Sequence, residues 1–145
     1  MGVRNLKPIS LSLWLSCSLL ASCSNSPTAP TTDGIELQSL SPAAGTMLAV
    51  GERVTITAVV TCTIATSEGG LTAMVVQDQG NRSLLQLGEV QAQAMLRKGT
   101  ETITLSQTVT IPENLGGSTV TVALPIFITE SSTTRAVVTR NYTIR

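Results

Sequence analysis

Residues 53–65 read Arg-Val-Thr-Ile-Thr-Ala-Val-Val-Thr-Cys-Thr-Ile-Ala. Successive side chains of a β-strand point to opposite faces, and under that period of two the stretch divides cleanly. Val54, Ile56, Ala58, Val60, Cys62 and Ile64 fall on one face, while Thr55, Thr57, Thr61 and Thr63 fall on the other. A helical period of 3.6 would scatter the same residues around the axis. Thr, Val and Ile are also stiff at χ1 and pack well on a pleated surface. The stretch therefore reads as a strand with one apolar face and one hydroxyl face.

The same alternation recurs downstream. In 102–111 (TITLSQTVTI), Ile103, Leu105, Val109 and Ile111 face inward with Gln107 as the exception, and Thr102, Thr104, Ser106, Thr108 and Thr110 face outward. In 118–124, Val120, Val122 and Leu124 share a face. In 135–144, Val138, Tyr142 and Ile144 oppose Thr139, Asn141 and Thr143. Weaker strands are expected at 35–40, 47–50, 71–77, 83–87 and 90–96. Gly, Pro, Asn and Ser clusters predict turns at 41–45, 51–52, 68–70, 79–81, 98–99, 112–117 and 130–132. Residues 88–98 (GEVQAQAMLRK) have a short helix as their alternative. Pro125 cannot donate within a ladder, so a bulge or strand end is expected there. The fold expected over residues 34–145 is an all-β antiparallel sandwich of about seven to nine strands.

The whole chain has 145 residues, with 9 Lys plus Arg against 9 Asp plus Glu, no His and 3 Cys. Without His, a Ser-His-Asp triad, a Cys-His pair and a His-ligated metal site are excluded within the chain. A zero formal charge argues against nucleic acid, where basic side chains must neutralise phosphates. Trp14, Phe127 and Tyr142 are the whole aromatic complement, so stacking platforms for bases or sugars are poorly supported.

The first 22 residues have their own composition. Arg4 and Lys7 precede an uncharged run at 9–22 (ISLSLWLSCSLLAS), which is the n-region and h-region pattern of a secretory signal. As a helix this run reaches only ~21 Å, short of a ~30 Å bilayer core, so a permanent transmembrane span is the weaker reading. Residues 24–33 (SNSPTAPTTD) are too polar to bury much surface and read as a flexible tether. The expected division is signal peptide 1–22, Cys23 and linker 23–33, and domain 34–145.

Leu20, Ala21, Ser22 and Cys23 close the apolar run, and this sequence resembles the lipobox of bacterial lipoproteins. The resemblance implies that the Cys23 thiol carries diacylglycerol, that cleavage falls just before it, and that the new amino group is acylated with a chain such as palmitate. Several acyl chains give stable attachment where one gives marginal binding. Cys17 follows Trp14, Leu15 and Ser16 and fits the pattern worse; Leu6 does not fit a myristoylation motif. Ser24 in place of Asp implies, by the same resemblance, sorting to the outer membrane. Residues 41–46 (SPAAGT) and 50–56 (VGERVTI) resemble the opening of bacterial immunoglobulin-like and fibronectin-III-like domains, and 109–112 (VTIP) resembles a middle strand of those modules. That implies an Ig-like sandwich and names no ligand. The domain departs from antibody-type modules in having no Trp and no second Cys to bridge its sheets.

Residues with chemistry to offer are few. Cys62 lies on an apolar strand face and reads as a core thiol. Asp33 with Glu36, and Asp78 alone, read as turn or surface groups, because no calcium-type run of oxygen ligands exists. Arg97, Lys98, Arg135, Arg140 and Arg145 need not share a face. The paired glycines at 69–70 and 116–117 have no Lys-Ser/Thr after them and so are not phosphate loops. No catalytic, metal or cofactor residue is expected, and Cys23 is the one assigned site. The expected role is a lipid-anchored module of the bacterial cell envelope that is not an enzyme. Recognition would use loops 66–70, 112–117 and 130–134, or a sheet edge. The alternative is an accessory subunit held to an envelope protein partner by strand addition.

Overall fold

The computed structural model describes residues 30–129 and 133–145, the side chains of 66–68 apart. The expected signal peptide 1–22, Cys23 and residues 24–29 of the expected linker lie outside the described residues. The protein is all-β. Among the described residues its strands are β1 (Gly34–Ser41), β2 (Met47–Leu48), β3 (Arg53–Ala73), β4 (Val75–Asp78), β5 (Gln93–Thr110), β6 (Thr119–Ile128) and β7 (Thr133–Ile144), with one 3₁₀ turn at Glu113–Leu115. One hydrogen-bonded sheet runs β1-β3-β6-β7-β2, with β5 on the other flank of β3 and β4 against β6. The sheet curls so that both halves face one core. Pairing is antiparallel except between β2 and β7, where Met47 and Leu48 lie parallel to Thr143 and Ile144.

The core is the apolar face read from residues 53–65. Ile56, Ala58, Val60 and Cys62 are fully buried, and they cluster with Leu105, Val109, Val120, Val122, Leu124, Ile126, Tyr142 and Ile144. Each Val, Leu or Ile side chain among them contributes on the order of 1.5–3 kcal/mol by leaving water. The opposite face of β3 pairs its hydroxyls with those of β5: Thr55 with Thr108 at 2.8 Å, Thr57 with Ser106 at 3.0 Å and Thr63 with Thr100 at 3.1 Å.

Several local expectations are corrected. The glycines at 69–70 are not a turn; they lie inside β3, just after a register shift between Ile64 and Gly69. There β3 passes from pairing with β1 to pairing with β6, through Gly70↔Ile128. The lack of side chains lets three strands approach: a Cβ on Gly69 would stand 2.8 Å from the Leu96 carbonyl oxygen, and one on Gly70 2.7 Å from that of Phe127. Lys98 and Gly99 likewise do not break the chain, since β5 runs through them with Gly99 opposite Ile64. Residues 88–98 form no helix; from Gln93 onward they belong to β5. Of 83–87, only Ser83 bridges, to Gln77.

Pro125 does not end its strand. β6 continues through it, and the bulge expected there appears as a register shift between Ile126 and Phe127. A second interruption falls on the neighbour. The register of Thr72↔Ile126 and Val75↔Ala123 puts Pro125 opposite Ala73, where β3 gives way to β4. A proline has no N–H to offer there. Met74 turns instead to the other side, its N–H donating to the Ala92 carbonyl at 2.8 Å.

Candidate binding surfaces

Asp78 ends β4 and organises the turn after it. Its Oδ1 accepts the backbone N–H groups of Gly80 (2.8 Å) and Arg82 (2.9 Å), and its Oδ2 accepts Arg82 Nε at 2.7 Å. Arg82 Nη2 adds an ion pair at 2.7 Å. Asn81 completes the turn in the left-handed region at φ 60°, a conformation Asn tolerates better than most residues. The backbone N–H of Arg82 in the first place, then the guanidinium and the Gly80 N–H, hold the Asp78 carboxyl below its ordinary pKa against the opposing effect of burial. The carboxylate is 5% exposed and its partner guanidinium 73%. The acid is thus consumed by its own turn, and the cation is what that turn shows to solvent.

Loop 112–118 packs beside this corner. Two adjoining clefts, of about 220 and 200 Å³, lie between the 78–84 turn and Pro112, Asn114, Leu115 and Ser118. Their donors are the exposed Arg82 and Asn114 and the half-buried Ser118, a set suited to accepting a carboxylate or hydroxyl-bearing group and not to proton transfer. Each cleft falls below the ~300 Å³ of an ordinary small-molecule site.

The structure separates the loops expected to act together. Loop 112–117 shares its end of the molecule with the β2–β3 turn, where the Gly51 N–H donates to the Ile111 carbonyl, and with the Gly117 N–H on the Ile144 carbonyl. Gly69 and Gly70, together with Thr133, lie at the opposite end, because Ile128 pairs with both Gly70 and Thr133. Residues 130–132 lie outside the described residues.

Cys62 is fully buried, and burial pushes its thiol up to about 11, with the Thr72 hydroxyl drawing it back and Glu101 adding to the rise. Thr72 is itself fully buried, and its hydroxyl makes no well-formed hydrogen bond; the weakly accepting thiol is its neighbour. Asp33, just before β1, is fixed to β3, its Oδ1 accepting the Ala65 N–H at 2.8 Å. Glu36 is exposed on β1. Arg135, Arg140 and Arg145 are exposed, and Arg140 Nη1 donates to the Thr139 carbonyl at 2.7 Å. Among the described residues no group of three or more His, Cys, Asp or Glu is placed to hold a metal. No helix among them is long and apolar enough to cross a membrane.

Two polar anchors go beyond the sequence reading. Gln107, the misfit on the inward face of β5, is buried: its Oε1 accepts the Ala92 N–H at 2.7 Å and its Nε2 donates to the Thr108 carbonyl at 3.3 Å. It borders a cavity of about 40 Å³ with Met74, Ser83 and Gln91. Tyr142 donates its hydroxyl to the Pro42 carbonyl at 2.6 Å, across 100 residues of sequence. The break in alternation at Gln107 was the signal for the first; the second had no local signal.

No family model matches the chain, and no curated protein matches it. Among solved structures it is similar to a family 123 glycoside hydrolase from Clostridium perfringens, described for glycolipid glycan hydrolysis, with a TM-score of 0.33 and 9% identity. That similarity covers 69% of this chain and 22% of the hydrolase. At this level it carries no argument about function.

Proposed function

We propose that this chain is a lipid-anchored module of the bacterial cell envelope, an Ig-like β-sandwich with a non-catalytic binding or structural role. The leader supports the anchor: an uncharged run ends at Leu20, Ala21, Ser22 and Cys23, and a polar tether separates it from β1. The observation that carries the non-catalytic role is how the reactive side chains are employed. The Cys62 thiol sits in the core, the Asp78 carboxylate is saturated by its own turn, and Asp33 holds the Ala65 N–H. Recognition would use the corner formed by Arg82, Asn114 and Ser118. A second reading, an accessory subunit of an envelope complex, is favoured by the length of β5 whose outer edge has no neighbour among the described strands.

Metabolic labelling with radioactive palmitate tests the anchor. The chain is expected to take up label and remain with membranes after salt washing, and Cys23→Ser is expected to lose the label and retain residues 1–22. Label that persists in Cys23→Ser, or an unmodified chain found in the soluble fraction, overturns the reading.

A further inference from the structure

The edges of this sheet are not treated alike. β1 carries Glu36 and a register shift between Leu37 and Ser39. β7 carries Arg135 and Arg140 and is met by β2 only at Thr143 and Ile144, and the edge of β4 is met by Arg82, Ser83 and Leu84. Charges, bulges and covering segments are the ordinary devices that keep a sheet edge from pairing with another chain. β5 pairs with β3 alone among the described strands. From Thr102 to Thr110 it carries no charge, no proline and no register shift.

That edge is also complementary to itself. An antiparallel pairing of two β5 strands about a dyad at Thr104 sets Thr100 against Thr108, Thr102 against Ser106, and Thr104 against Thr104. On the other face it sets Ile103 against Leu105 twice. The first three are hydroxyl pairs of the kind that already join β3 to β5 at 2.8–3.1 Å. Among the described residues, Thr104 is the one member of the row 100, 102, 104, 106 and 108 that meets no hydroxyl, because it stands opposite Val59. Ile103, half-buried at the edge, would be covered by Leu105 of the second copy. The same register puts Lys98 beside Thr110 and Glu101 beside Gln107, so no like charges meet.

We propose that the β5 edge is a homodimer interface, in which two copies of this chain join their sheets antiparallel about Thr104. This interface is independent of the lipid anchor, and its test does not need the anchor to be present.

Cysteine cross-linking of the full chain in cells tests it. Paired Cα atoms in an antiparallel ladder lie ~4.5–5.5 Å apart, within disulfide reach. Under mild oxidation Thr104→Cys is expected to give a disulfide dimer at least about tenfold above Thr139→Cys, which is exposed on β7. Thr102→Cys and Ser106→Cys, expressed together, are expected to link to each other more than either links to itself. The unmodified chain sets the background from its own cysteines. Thr104→Lys, which opposes two charges at the dyad, is expected to abolish dimer in chemical cross-linking of the otherwise unmodified chain while its circular dichroism is unchanged. Thr104→Cys that links no better than Thr139→Cys, or links to a foreign protein, overturns the proposal. A Thr104→Lys chain that folds and still forms dimer overturns it equally.

Discussion

Replacing Gly70 with alanine puts a methyl group into the place where β3 changes partners. Its Cβ would lie 2.7 Å from the Phe127 carbonyl oxygen and 3.2 Å from Ile64 Cδ1. The first neighbour is backbone of β6, held in the ladder by Gly70↔Ile128 and Leu71↔Phe127, so it cannot rotate aside. Relief requires the two strands to part by roughly 0.7 Å, and overpacking of this kind costs ~1–3 kcal/mol. Gly34→Ala is the matched control, since nothing lies within 4 Å of its Cβ. Narrowing the unfolded ensemble there stabilises by about 0.4–1 kcal/mol. Urea unfolding followed by far-ultraviolet circular dichroism reads both. With a slope near ~1.5 kcal/mol/M, Gly70→Ala lowers the midpoint by roughly 0.7–2 M, and Gly34→Ala raises it by a few tenths. If the two variants unfold together, β3 does not run continuously through 69–70 and the crossing described above is wrong.

Tyr142→Phe leaves the part-buried Pro42 carbonyl without its donor, and a lost hydrogen bond of this kind costs ~0.5–1.5 kcal/mol. Burial also raises the Tyr142 pKa above its ordinary 10. The stability tied to that shift is therefore complete below pH 10 and lost as pH climbs through the folded-state value; absorbance at 295 nm reads the ionisation directly, because Tyr142 is the only tyrosine. Asp78→Asn works in the opposite direction. The carboxyl is lowered in the fold, so its contribution is present above the unfolded value of 3.8 and disappears as pH falls through the folded one. Variant and parent are expected to differ in urea midpoint at pH 7 and to converge on acidification, and a difference that persists unchanged in acid contradicts this role.

The strands were legible wherever alternation was strict. Residues 53–65 and 102–111 showed their inward faces residue by residue, because burial on one side and water on the other impose a period of two. What misled was glycine. The pairs at 69–70 and 98–99 carry the local chemistry of turns, yet here a missing Cβ answers to neighbours distant in sequence, Phe127 and Leu96 at one site, while Gly99 sits in a ladder opposite Ile64. Pro125 gave the bulge that its missing N–H signals, between Ile126 and Phe127 of its own strand, but the break opposite it between β3 and β4 is encoded in no single-strand pattern. Of the candidate surface, Asp78 was legible as a turn residue, but its convergence with loop 112–118 depends on the path of β4, β5 and β6 through space. Gln107 announced itself only as an anomaly.

The stitching of residues 42–50 to the far end of the chain has a consequence in time. Tyr142 reaches back to Pro42, the Gly45 N–H donates to the Asn141 carbonyl, and the Val50 N–H donates to that of Arg145. Each contact closes a loop of nearly a hundred residues, and such closures are slow because their entropy is lost before any contact repays it. A ribosome must therefore have made β7 before residues 42–50 can settle. Until then the polypeptide stays open enough to be threaded, a useful property for a protein whose first residues read as an export signal.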